Sequence, residues 1–287
     1  MLDLRVDPVA EARLVNRFGP EVRPWLTALP ALAERLAVRW DLEIVEAVSR
    51  GGTSRVFRVR RADGGGAFLK LTPEPAICAA EALALNAWAD TPQVVDLVAA
   101  DVAAGALLLD AVEPGTTADR PGGRPSPQEV SGLLKSLRVT EVPDSLPPLR
   151  ERVAFLFELT RRRLQPGTLE DDVLDRSLAA ALALAEDGPV GLVHGDLHPG
   201  NVLDGGPRGP VVIDPRPSVG DPTFDAVDWV LPADDLDRLR ENIAQLDVDH
   251  GRLMLWCRAI AILLAVPRLS HGPHDAETAF LLRLATA

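Results

Sequence analysis

Residues 194–201 read HGDLHPGN, two histidines, an aspartate and an asparagine within eight positions. Two chemistries fit that density of polar side chains. On an extended strand His194, Asp196 and His198 share one face and form a metal-binding set of the kind some hydrolases use. In a loop, Asp196 is a candidate catalytic base and Asn201 a candidate magnesium ligand. The remaining histidines, His250, His271 and His274, lie far along the chain. They do not give the clustered His/Asp spacing of a two-metal hydrolase. Pro199 and Gly200 also break a strand directly after His198.

The loop alternative makes demands elsewhere, and the chain meets them. H-x-D-x-x-x-x-N is the spacing of a protein-kinase catalytic loop. Such chemistry needs a further carboxylate on magnesium, and VVID ends on Asp214, 13 residues after Asn201. Magnesium wants oxygen ligands and keeps several waters, so one amide and one carboxylate suffice. Phosphates also need a cation. Of 30 basic residues only Lys70 and Lys135 are lysine. Lys135 fits a surface helix. Lys70 ends the apolar run AFLK, where a compact ammonium has a use that a guanidinium does not. Glu81 lies in the helix that follows and can hold it. In RGGTS, Gly51 and Gly52 let backbone N–H groups approach an anion, although taken alone these glycines are better explained by a hairpin turn. Further on, backbone groups near Asp110 and Val112 are placed to bond an adenine.

The elements that must position these residues follow from periodicity. Residues 8–40 read as helix, broken at Pro24 and Pro30. Strands are expected at 42–49, 55–61, 67–72, 94–103 and 105–112, with one inserted helix at 74–89. Beyond the Gly/Pro-rich 113–127 the chain reads as helical at 128–138, 148–164, 170–186, 222–231, 233–246, 251–267 and 274–286. The exception is 190–214, which carries the motif. The expected organisation is a nucleotide-binding lobe over 1–109, a connection at 110–113 and a catalytic and substrate lobe over 114–287.

Bulk properties narrow the class. The 287 residues are 47% apolar and 25% charged, with a net charge of −12. A chain this acidic does not suit a phosphate backbone, so nucleic acid is not an expected partner. It is compatible with a cationic small molecule, although many acidic proteins simply stay soluble this way. Ten acids against three bases fall between 214 and 250, where they either line an acceptor site or coat a solvated helical surface. The apolar stretch 253–267 is too short for a membrane span and holds Arg258. The N-terminus shows no signal-peptide pattern. Cys78 and Cys257 read as isolated buried thiols. A cytoplasmic monomer with no membrane partner is expected.

HGDLHPGNVL followed by VIDPRPSVGDPTFDAVDW resembles the aminoglycoside phosphotransferase family, in particular its streptomycin 6-kinase and hydroxyurea-kinase-like branch. RPWLTALPALAERLAVRWDL, AFLKL, EALALNAW and LLLDAVEPG are similar to that branch in the same order, over about residues 20–231. The resemblance implies an α+β, two-lobed protein-kinase-like fold: a five-stranded antiparallel first lobe with one key helix, and a mainly helical second lobe. It implies ATP and Mg2+ as cofactors and O-phosphorylation of a small-molecule hydroxyl, on a streptomycin-like aminoglycoside before others. It also implies that Asp225 braces the catalytic loop. The sequence departs from protein kinases in having no G-x-G-x-x-G, no D-F-G and no A-P-E, and Gly195 stands where H-R-D has arginine. Constitutive activity is therefore expected. A kinase of a metabolite alcohol or of a hydroxyurea-like compound, a nucleotide-binding pseudokinase and a metal-dependent hydrolase remain as alternatives. Asp221 belongs to the family pattern without an evident role.

Overall fold

The computed structural model describes residues 4, 6–48, 53–139, 141–164, 172–269 and 275–286. The chain divides into two compact units, residues 1–89 with 95–113 and residues 90–94 with 114–287. The short piece 90–94 joins the second unit because its backbone is tied there. Val94 bridges to Val212, Val212 N–H donates to the Gln93 carbonyl, and Arg208 donates to the carbonyls of Pro92 and Val94.

The first unit opens with α1 (Pro8–Phe18) and α2 (Arg23–Arg39). The Asp7 carboxylate caps α1 by accepting from Ala10 N–H at 2.9 Å. The break between the helices falls at Gly19, whose φ of 85° ends α1, and not at the prolines. Pro24 occupies the first turn of α2, where a missing N–H costs nothing, and Pro30 is carried inside that helix. Then come β1 (Leu42–Val48), β2 (Arg55–Arg61), β3 (Gly66–Leu71), α3 (Pro75–Ala87), β4 (Leu97–Asp101) and β5 (Ala106–Asp110). They form one antiparallel sheet in the order β1-β2-β3-β5-β4. The expected strands at 94–103 and 105–112 are shorter in the fold, because Val94 is recruited by Val212 and the sheet pairing of β5 ends at Asp110.

Strand alternation sorts the two faces of this sheet. Phe57, Val59, Ala67, Leu69 and Leu71 point one way, into a core with Leu29, Ala33 and Leu36 of α2. Lys70, between Leu69 and Leu71, must point the other way. That is the face on which α3 presents the buried Glu81.

The second unit holds α4 (Pro127–Ser136), α5 (Leu149–Arg163), α6 (Val173–Glu186), β6 (Gly191–Val193), β7 (Val202–Asp204), β8 (Pro210–Val212), β9 (Ser218–Gly220), α7 (Val227–Val230), α8 (Leu236–Ala244), α9 (His250–Leu269) and α10 (Ala276–Thr286). Two short hairpin-like pairs, β6 with β9 and β7 with β8, carry the motif region. α9 is buried along most of its length and packs against α5, α6 and α10. Over 222–231 the expected helix is a 3-10 turn (Pro222–Ala226) followed by the single turn of α7. Among the described residues no helix is long and apolar enough to cross a membrane.

Asp221 acquires a role here. It is fully buried and accepts from Thr223 N–H, from Arg252 Nε and, at 2.6 Å, from Trp256 Nε1. The turn after β9 is thereby fastened to α9. Most of the acidic stretch is accounted for in the same local manner. Asp235 caps α8, Asp249 accepts from Arg252 N–H, and Asp237 and Glu241 pair with Arg240 and Arg238. The stretch is mainly caps, anchors and surface pairs.

Candidate active site

The loop that begins at His194 is set by its neighbours. Pairing of Val193 with Ser218 fixes the exit from β6. Asp225 then accepts from two successive backbone N–H groups, His194 at 2.7 Å and Gly195 at 2.8 Å. That is the brace expected of it. Burial pushes the Asp225 carboxyl up to about 7, against the lowering effect of those two donors. Gly195 has a φ of 75°, and a Cβ there would stand 2.2 Å from the Arg216 carbonyl oxygen. The arginine of H-R-D has no room at this position, which explains the glycine.

The two histidines of the motif do not converge on a metal. His194 is completely buried, and its Nε2 lies 3.1 Å from the Ile213 carbonyl. Burial pushes its imidazole down to about 4, so it is held neutral. His198 accepts from Gly200 N–H through Nδ1 at 3.0 Å, which makes it the cap of the 3-10 turn at Pro199–Asn201. The strand alternative fails because the segment after β6 is loop and turn.

Asp196 is held at both carboxylate oxygens. Arg152 Nη2 of α5 donates to Oδ1 at 3.0 Å, and Asn201 Nδ2 lies 3.3 Å from Oδ2. Asn201 Nδ2 also donates to the Asp196 carbonyl at 2.9 Å. Since the amide nitrogen is spent inward, the Asn201 carbonyl oxygen is the group left for a hard cation. Asp214 stands close by for a topological reason. Asn201 enters β7, Asp214 leaves β8, Val202 pairs with Val212, and Ile213 N–H donates to the Asn201 carbonyl at 3.0 Å. Asp214 has a left-handed φ of 57°, a conformation that non-glycine residues adopt mainly at special sites. One of its oxygens sits 3.2 Å from Arg216. An amide oxygen and a carboxylate at one end of a hairpin fit magnesium, which takes few protein oxygens and retains water.

In the first unit, Lys70 Nζ donates to both oxygens of Glu81, at 2.7 and 2.6 Å. Their side chains are 7% and 1% exposed, so this is a buried, fully paired ammonium. Among the connection residues, Asp110 N–H is spent on the Asp96 carbonyl, and the Asp110 carboxylate pairs with Arg61 at 3.2 Å. Val112 is buried, and its N–H has no acceptor among the described residues. Gly51 and Gly52 lie outside the described residues, as do His271 and His274. Cys78 and Cys257 are buried and free, and burial raises both thiols, Cys78 to about 11.

Asp196, Asn201 and Asp214 thus come together in the second unit, and Lys70 and Glu81 in the first. Sequence reasoning missed Arg152. It stands 44 residues before Asp196, in a helix where LRERVAFLFELTRRR is dense in arginine, and no motif distinguishes it.

Residues 39–272 match the family described as aminoglycoside/hydroxyurea antibiotic resistance kinase. A hydroxyurea phosphotransferase of Kitasatospora aureofaciens is 36% identical over 244 residues, covering 80% of this chain and 69% of the relative. A streptomycin 6-kinase of Streptomyces glaucescens is 34% identical over 248 residues, covering 84% and 78%. Among solved structures, choline kinase LicA from Streptococcus pneumoniae superposes with a TM-score of 0.61 at 13% identity, over 91% of this chain and 98% of that one. The fold is protein-kinase-like and α+β. The chain belongs to the aminoglycoside/hydroxyurea antibiotic resistance kinase family, and it is a phosphotransferase that acts on a small-molecule hydroxyl.

Proposed function

We propose that the protein transfers the γ-phosphoryl group of ATP to a hydroxyl of a streptomycin-like aminoglycoside, with Asp196 as the catalytic base. The observation that carries this reading is the fixed Asp196 carboxylate beside the Asn201 and Asp214 hairpin end. Lys70, oriented by Glu81, binds the α and β phosphates. Val112 N–H and the backbone at Asp110 bond the adenine, and Gly51 and Gly52 line the phosphate loop. Asn201 and Asp214 hold magnesium, which when bound neutralises phosphate charge.

In the transfer, the acceptor oxygen attacks the γ-phosphorus as its bond to the β,γ-bridging oxygen breaks. The hydroxyl proton passes to Asp196 and ADP leaves. Transition states of this kind ask for little covalent work, so orientation and charge neutralisation dominate. A charged group of the acceptor pairs with Asp228 in α7. Burial raises the Asp228 carboxyl, and among the described residues it makes no hydrogen bond or ion pair.

Steady-state kinetics test the base. Asp196→Ala should cut turnover by about 100-fold or more, the scale of general-base contributions. Near-normal turnover would remove Asp196 from the role. A second acceptor class, hydroxyurea, is favoured by the slightly higher identity to the hydroxyurea phosphotransferase, and belongs in the same assay.

A further inference from the structure

The arginine that H-R-D would place beside the aspartate is sterically excluded at Gly195, yet a guanidinium still reaches that aspartate from another element. Arg152, on α5, donates Nε to the Gly195 carbonyl at 3.0 Å and Nη2 to Asp196 Oδ1 at 3.0 Å. Its side chain is 13% exposed, and its guanidinium carbon lies 5.7 Å from the Phe155 ring centroid. The planar fork therefore grips the backbone on one side of the Asp196 Cα and the carboxylate on the other. Asn201 does the same from the opposite oxygen. Rotation of the Asp196 carboxylate breaks one contact or the other.

We propose that Arg152 is a positioning residue for the phosphoryl transfer, fixing the Asp196 carboxylate so that Oδ2 faces the acceptor hydroxyl. The inference rests on the function proposed above. A one-ångström misplacement of a catalytic group is enough to cost about 100-fold in rate. Lysine cannot replace this arginine, because one ammonium on a flexible stem does not reproduce two parallel N–H donors in a rigid plane. The negative charge of Asp196 is met as well, but charge alone is the lesser part of the device, and the lysine variant separates the two.

The test uses the full chain with ATP, magnesium and streptomycin as the acceptor probe. Arg152→Ala and Arg152→Lys should both lower kcat by about 10- to 100-fold while the KM for ATP stays put. Added ethylguanidinium should restore part of the Arg152→Ala rate, and ethylammonium should not. In an Asp196→Ala background, Arg152→Ala should cost nothing more, because its effect runs through that carboxylate. Normal kcat in Arg152→Lys, or losses that multiply in the double variant, would overturn the proposal. A crystal structure of acceptor-free Arg152→Ala gives an independent readout. Asp196 should leave its contact with Asn201, and an Asp196 carboxylate unmoved from that contact would also overturn it. If the wild-type protein releases no ADP with streptomycin or any other alcohol offered, the proposed function fails, and the crystal arm still decides the role of Arg152.

Discussion

At the residue scale, the centre of the site is a short loop whose backbone is fixed by buried groups of unusual titration. His194 and Asp225 are joined by a backbone hydrogen bond and shifted in opposite directions by the same burial. Between about pH 6.5 and 4 the unfolded chain binds a proton at His194 that the folded chain refuses, so acidification through that window costs stability. Asp225 has the other sign. From about pH 4 to 7 the folded chain holds a proton that the unfolded chain has lost, so stability falls as pH rises. The two slopes oppose each other in the wild type. His194→Gln should unmask the Asp225 slope, and the two stability profiles should diverge by up to about 3 kcal/mol across that window. Urea unfolding at a series of pH values measures this, and parallel profiles would contradict it. The motif residues were legible from spacing, since His194, Asp196 and Asn201 come together with Asp214. The bonds that hold them were not. Nothing in the string says that His194 gives its ring to the Ile213 carbonyl, or that an arginine 44 residues upstream grips Asp196.

At the element scale, the buried Lys70–Glu81 pair depends on strand alternation in β3 and on the position of one α3 residue. Removing Glu81 alone leaves a buried ammonium without its partner, so Glu81→Ala should destabilise the protein by about 3–5 kcal/mol. Replacing both, as Lys70→Met with Glu81→Leu, should recover much of that loss, because apolar residues of similar volume pack where the pair lay. The double variant should still fail to turn over ATP. A stable, active double variant would show that the pair serves the fold alone. The acids between 214 and 250 make a contrary lesson. Their density left an acceptor wall and a solvated helical surface both open, and Asp221, Asp235, Asp237, Glu241 and Asp249 all find partners within the chain. Charge counts carry no information about partners, so caps and anchors cannot be told from a binding face by composition. Asp228, partly buried in α7, has no such partner among the described residues, and Asp228→Asn should raise the KM for a cationic acceptor several-fold with little change in KM for ATP. Equal KM values in both proteins would remove it from the acceptor site. Helix ends at Gly19 and within 222–231 were misplaced for a local reason, since a positive-φ glycine and a 3-10 turn outrank the proline and periodicity signals.

For the molecule as a whole, Lys70 and Glu81 belong to one compact unit, and Asp196, Asn201 and Asp214 to the other. The order of these residues along the chain made the kinase-like fold readable. The exception is 90–94, which sits with the second unit through hydrogen bonds no sequence pattern announces. Ligand binding to the folded state raises its stability by RT ln(1 + L/Kd), with L the free ligand concentration. Mg-ATP at about 100 times its Kd should therefore add about 2.7 kcal/mol, seen as a higher Tm. Asp214→Ala should lose the magnesium-dependent part of that gain, and an undiminished gain would show the ligand to be another residue. The proposed transfer is read most simply from product mass. The wild-type protein and Asp196→Ala would be incubated with Mg-ATP and, separately, streptomycin, hydroxyurea and a set of small alcohols, and each acceptor weighed by mass spectrometry. One added phosphate is expected on streptomycin with the wild type, and only a trace with Asp196→Ala. An unmodified acceptor panel, or equal product from both proteins, would contradict the proposal.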